Sequence, residues 1–241
     1  MKRTIRILRL YPELLDLYGN GGNVLVLKRR LEAMGHEVLC DSLELSEKKE
    51  LERYDLIAVG AGKTRNLAAA MRDFSTLGAA LKAAVEAGRM VLANGTGMLL
   101  LGQGLHVGEE WIPGAGLFDY EGTETGQVAV SDCIVRMTGL TTPLYGFVNQ
   151  TVSISYSQRP NLFAVESGAA GFDGAEGQIQ GNCLATSLLG PLLVKNPALC
   201  RWLLERLLGE DFVEYDDALA RSAWERTIAE FGGSGKTGTS V

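Results

Sequence analysis

Apolar and polar positions alternate from Thr4 to Leu10, which predicts a first strand. Gly22-Asn23 then opens a stretch with Val24, Leu25, Leu27, Leu31 and Met34 at helical spacing, and Gly35 stops it. His36–Cys40 resumes a strand, and the charged run Glu44–Glu52 reads as helix. Asp55–Val59 is a continuous apolar run, the pattern of a parallel strand buried on both faces. Leu77–Ala87 is an Ala-rich helix ended by Gly88, and Val91–Ala93 is the next strand. Strands alternating with helices imply βαβ units, hence an α/β fold with a doubly wound, mostly parallel sheet flanked by helices. After Gly102 the chain turns rich in Gly, Thr and Ser, with β-like runs at 126–137 and 161–165. These predict extra strands in the second half, several antiparallel, covering one end of the sheet. A helix follows Pro197 through Cys200–Leu204, and a second amphipathic helix spans about Asp216–Phe231. No repeat or linker interrupts the pattern, so residues 1–231 are expected to form a single domain, with a disordered, low-complexity tail at 232–241.

Composition narrows the function. The 241 residues carry a formal net charge of -6, which argues against nucleic acid as a partner, since phosphate contacts need clustered Lys and Arg. The Lys28-Arg29-Arg30 run lies on a predicted helix and reads as its solvated face. Arg6 and Arg9 interrupt any export signal, and no apolar run of about 18 residues offers stable membrane insertion. Cys40, Cys133, Cys183 and Cys200 form no CxxC pair and suit reduced thiols in a cytoplasmic protein. With only His36 and His106 available, neither a metal site nor a cofactor is expected.

Candidate chemistry gathers at two turns. Gly60-Ala61-Gly62-Lys63-Thr64 follows a strand and precedes a helix, yet the first glycine of a Walker phosphate loop would fall at Ile57; at the second Gly-Lys-Thr, residues 235–237, it would fall at Glu230. The stretch Arg89–Gly102 reads as a buried strand, a sharp turn and an apolar helix, the layout by which α/β enzymes lift a nucleophile above the sheet. Here the turn holds Asn94, Gly95, Thr96 and Gly97, with neither Cys nor Ser.

Four segments carry a family likeness: Leu10–Asn23; the Gly60-Ala61-Gly62 loop; the elbow ending Leu100-Leu101-Gly102 with Gly114–Asp119 after it; and Leu189-Gly190-Pro191 through Pro197, leading into the Trp202 helix. On these the chain resembles the class I glutamine amidotransferase-like proteins of the cobyric acid synthase type, and most of all the branch that serves lipid II isoglutaminyl synthases in the cell wall. The resemblance implies an elbow Cys attacking the glutamine amide, a His moving protons, and an oxyanion hole of backbone N–H groups. It also implies a Mur-ligase-like, ATP-dependent synthetase as partner.

This chain departs from that pattern at its centre. The family's Cys aligns with Gly95 and its His with Leu189, so no catalytic residue remains at either position. Lys63, Thr64 and Asn66 follow the glycine loop in place of the usual Gln, Asp and Glu-like residues. The substrate-side Gly-Phe-Glu-Asn-His motif reads Gly146-Phe147-Val148-Asn149-Gln150. His36, before an early strand, and His106, in a variable loop, offer no substitute, and Cys183 reads as a core residue. A glycine at an elbow relieves the backbone strain that a nucleophile there endures. The expected function is therefore a pseudo-glutaminase subunit that scaffolds or regulates the synthetase. Its residual ligand-binding candidates are Gly60, Ala61, Gly62, Asn94, Thr96, Gly97, Asn149 and Gln150. The alternatives are an amidotransferase of altered chemistry through Asn94, Thr96 or Cys183, a free-standing small-molecule sensor, or a cobyric acid synthase-like protein.

Overall fold

A computed structural model describes residues 2–171 and 173–232. In chain order the elements are β1 (Thr4–Leu10), α1 (Gly21–Ala33), β2 (Glu37–Leu43), β3 (Leu56–Val59), α2 (Thr64–Phe74), α3 (Gly78–Glu86) and β4 (Met90–Asn94). Next come β5 (Gly104–Val107), β6 (Glu110–Pro113), β7 (Tyr120–Arg136), β8 (Leu144–Tyr156), β9 (Phe163–Ser167), β10 (Ala175–Glu176), β11 (Gln178–Gln180) and β12 (Cys183–Thr186). Three helices close the described chain: α4 (Leu192–Lys195), α5 (Pro197–Leu208) and α6 (Ala218–Gly232). Apart from Gly232, the expected tail lies outside the described residues.

The first sheet has the order β11-β12-β4-β3-β1-β2 and is parallel except for β11. Its alternating side chains build two separate cores. Leu8, Leu10, Ile57, Val59, Val91 and Ala93 face one side, where Leu67, Met71 and Phe74 of α2 and Leu81 of α3 cover them. Ile5, Ile7, Leu56, Met90 and Leu92 face the other, beneath Leu27 and Leu31 of α1 and Leu203 and Leu204 of α5. This is the doubly wound arrangement read from the sequence, and it explains why β4 is buried at every position. Lys28 and Arg29 lie at the surface as expected, both paired to Glu32, whereas Arg30 stacks 4.8 Å over the Tyr215 ring and donates to the Asp216 carbonyl.

Four local expectations are corrected. Glu44–Glu52 is not helical; only a 3-10 turn at Leu51–Arg53 forms. Between Glu44 and Glu50 the one large apolar side chain, Leu45, stays 43% exposed, so no apolar face exists to dock a helix. The apolar helix expected after the elbow is a single six-residue 3-10 segment, Gly95–Leu100, buried throughout. Two glycines in its first turn weaken any α-helix there. His106 is not in a loop; it lies in β5 with its ring 4.5 Å from that of Trp111. The extra strands do more than cover an end: they form a second six-stranded sheet, β10-β9-β7-β5-β6, with β8 paired along β7. Among the described residues, no helix is long and apolar enough to cross a membrane.

Candidate functional site

β4 delivers its last residue, Asn94, in extended conformation, and Gly95 then turns the chain at φ +60°. That left-handed turn is the strained geometry expected of an elbow, here occupied by a residue without a Cβ. The space above it is closed. A Cβ on Gly95 would stand 2.6 Å from the Ala61 methyl and 2.7 Å from Leu189 Cδ2. Leu189 is 2% exposed, and burying its side chain contributes about 2 kcal/mol. Gly95 and Leu189 are therefore adjacent in space, and apolar bulk fills the gap between them.

The glycine turns serve close backbone approach. A Cβ on Gly97 would meet the Gly60 carbonyl oxygen at 2.0 Å, and one on Gly60 would meet the Leu15 carbonyl oxygen at 2.2 Å. The neighbouring polar groups are taken up internally. Gly95 N–H donates to the Leu188 carbonyl at 3.1 Å, and Leu17 N–H donates to the Ala61 carbonyl at 2.9 Å. Gly62 N–H donates to Thr96 Oγ1 at 3.1 Å, while the same hydroxyl donates to the Gly62 carbonyl at 2.9 Å. An oxyanion hole needs N–H groups aimed at an open position, and those of Gly62 and Gly95 are turned inward onto the protein.

A buried asparagine cluster ties this region together. The Asn94 amide packs against those of Asn20 and Asn23. Asn20 Oδ1 accepts the Gly190 N–H at 2.9 Å, and Asn23 Oδ1 accepts the Leu193 N–H at 2.8 Å. The opening segment, the elbow and the closing segment thus meet around three amides. Beneath them is a cavity of about 20 Å³, room for roughly one water. Asn20 and Asn23 have no role in the sequence pattern; Asn20 caps α1 and Asn23 lies in its first turn, and only folding brings them to Asn94.

Six of the eight predicted ligand residues, Gly60, Ala61, Gly62, Asn94, Thr96 and Gly97, come together here. Asn149 and Gln150 lie on β8, opposite Val130 and Ala129 of β7. Gln150 Nε2 donates to the Val152 carbonyl at 2.9 Å, and the residue lines a separate groove. Cys183 is buried in β12, where desolvation pushes its thiol up to about 12, the wrong direction for a nucleophile. Glu176, also missed, is fully buried; its carboxylate accepts from the Thr186 hydroxyl and the Ser187 N–H, both at 2.6 Å. It braces the strand end that leads to Leu189.

A parallel sheet wound on both faces, with a turn of this kind at the end of a central strand, defines a doubly wound α/β domain. Residues 6–197 match the CobB/CobQ-like glutamine amidotransferase domain, and the chain belongs to that family. Among curated proteins it is similar to the GatD subunit of lipid II isoglutaminyl synthase (glutamine-hydrolyzing) from Streptococcus pneumoniae. That match is 26% identical over 233 residues, 92% of this chain and 89% of the relative. The GatD subunit of Staphylococcus aureus is 27% identical over 201 residues, 80% of this chain and 79% of the relative. A crystal structure of a glutamine amidotransferase superposes with a TM-score of 0.55 at 17% identity, covering 83% of this chain and 98% of that one, a likeness of fold.

Proposed function

We propose that this chain is a non-hydrolysing glutamine amidotransferase-like subunit, one that scaffolds or regulates a Mur-ligase-like, ATP-dependent synthetase in lipid II amidation. The observation that carries the reading is the closed elbow: Ala61 and Leu189 occupy the space a nucleophile at Gly95 would need. Thr96 and Asn94, the candidates for altered chemistry, are held in contacts with Gly62 and with the asparagine cluster, which supports loss of the reaction over its replacement. The GatD likeness over most of the chain supports the pathway. On this reading residues 1–231 act as one domain in the cytoplasm, and the synthetase draws on free ammonia.

The test combines affinity capture from the native cells with an assay of ammonia release from glutamine. Capture is expected to recover an ATP-dependent synthetase whose amidation runs on ammonium salt and gains nothing from glutamine. Glutamine-dependent ammonia release by the purified wild-type chain would overturn the proposal.

A further inference from the structure

The elbow is tied to a buried carboxyl by hydrogen bonds that run through Leu188. Gly95 N–H donates to the Leu188 carbonyl at 3.1 Å, and Leu188 N–H donates to Thr186 Oγ1 at 3.1 Å. The Thr186 hydroxyl in turn donates to Glu176 Oε2 at 2.6 Å, and Ser187 N–H donates to Oε1 at 2.6 Å. Glu176 is the last residue of β10 and is fully buried. The titratable groups that interact with it are Tyr120 and Cys133 of β7 and Tyr156 of β8, all held neutral by burial. Among the described residues, no cation acts on its charge. Ser187 also lines the open groove of about 350 Å³ along β8, so the link runs between groove and elbow.

The two donors around Glu176 decide where a proton can sit. A backbone N–H only donates, so Oε1 must remain the acceptor of Ser187. A proton taken up by the carboxylate therefore goes to Oε2, which faces Thr186. A hydroxyl can donate or accept, so Thr186 then turns its own hydrogen away and receives the new one. Its oxygen already accepts Leu188 N–H, and serving two donors at once weakens its hold on that peptide. Burial favours the neutral acid, whereas the Thr186 and Ser187 donors favour the carboxylate, so the two forms are balanced against each other.

We propose that Glu176 is a proton-operated switch for the elbow: protonation at Oε2 reverses the Thr186 hydroxyl and displaces the Leu188 peptide on which Gly95 is docked. The inference goes beyond the subunit role and holds whether or not the chain hydrolyses glutamine. NMR titration of the whole chain tests it, following the Glu176 side-chain carboxyl carbon and the amides of Ser187, Leu188 and Gly95. All four are expected to share one inflection, lying above the ordinary carboxylate range. Glu176→Gln should remove that inflection from the three amides. Thr186→Val should leave it at Ser187 and remove it from Leu188 and Gly95, whereas Thr186→Ser, which keeps the hydroxyl, should retain it at both. A carboxyl that titrates while Leu188 and Gly95 stay flat would overturn the proposal, as would a carboxyl with no inflection from acid to mildly alkaline pH. A Gly95 inflection that survives Glu176→Gln or Thr186→Val would belong to another group and refute the relay. Failure here leaves the non-hydrolysing reading untouched, because ammonia release tests that separately.

Discussion

The elbow and the groove lie close together yet obey opposite rules. At the elbow, the Gly62 and Gly95 N–H groups have protein partners and an added methyl would strike a neighbour. At the groove, the β7–β8 pairing breaks register between Glu124 and Ala129, and Gln150 Oε1 and the Tyr156 hydroxyl are buried without partners. The difference teaches that a tightly packed turn and an open groove can stand side by side in one domain. Leucine and alanine fill the small space above Gly95, whereas the groove is built by strand register and does not depend on those side chains.

The largest effect should come from testing how tightly the elbow is packed. Gly97→Ala places a methyl against the Gly60 carbonyl, part of a backbone that cannot swing aside. A loss of about 3 kcal/mol is expected in urea unfolding. A loss under about 1 kcal/mol would mean that the elbow is loose and the contrast false.

A smaller effect isolates the filling residue. Gly95→Ala combines a side chain at φ +60° with contacts to Ala61 and Leu189, and should cost about 2 kcal/mol. In a Leu189→Ala background the cost should fall by about 1 kcal/mol, since a flexible side-chain end is one of the two obstacles. Strict additivity in that double-mutant cycle would show that Leu189 does not close the site.

The smallest effect is one of pH. Burial holds the Glu176 carboxyl above its ordinary 4.5, against the opposing pull of Thr186 and Ser187. A raised carboxyl contributes stability that is fully present below the unfolded value and lost as pH rises through the folded one. Wild type should therefore lose stability relative to Glu176→Gln as pH rises from the ordinary carboxylate value through the raised folded one, and the variant's profile should be flatter over that range. Parallel profiles would show that Glu176 stays ionised and fully compensated.

Much of this was legible in the chain itself. Local periodicity is a property of neighbouring residues, so β1, α1, β3, α3 and β4 follow directly from apolar spacing and from glycine stops at Gly35 and Gly88. The short signal at 126–137 understated β7, which begins at Tyr120, because the stretch Glu121–Thr125 is polar apart from Gly122 and carries no alternating apolar face. The run 44–52 misled because charge resembles a helix surface even where no opposite face is buried. Gln150 was grouped with the elbow on motif position alone; strand register sent it elsewhere.

The sequence by itself determined that the chain has no Cys at position 95 and no His at 189, and that the glycines needed for a sharp turn remain. Those are statements about composition at aligned positions, and they survive any folding. Only the tertiary structure decided what surrounds Gly95. Asn20 meets Gly190 across 170 residues, Leu189 leans over Gly95, and a skipped register opens the groove. Such contacts depend on how the sheets and helices pack in three dimensions, where residues remote in the chain compete for the same few ångströms.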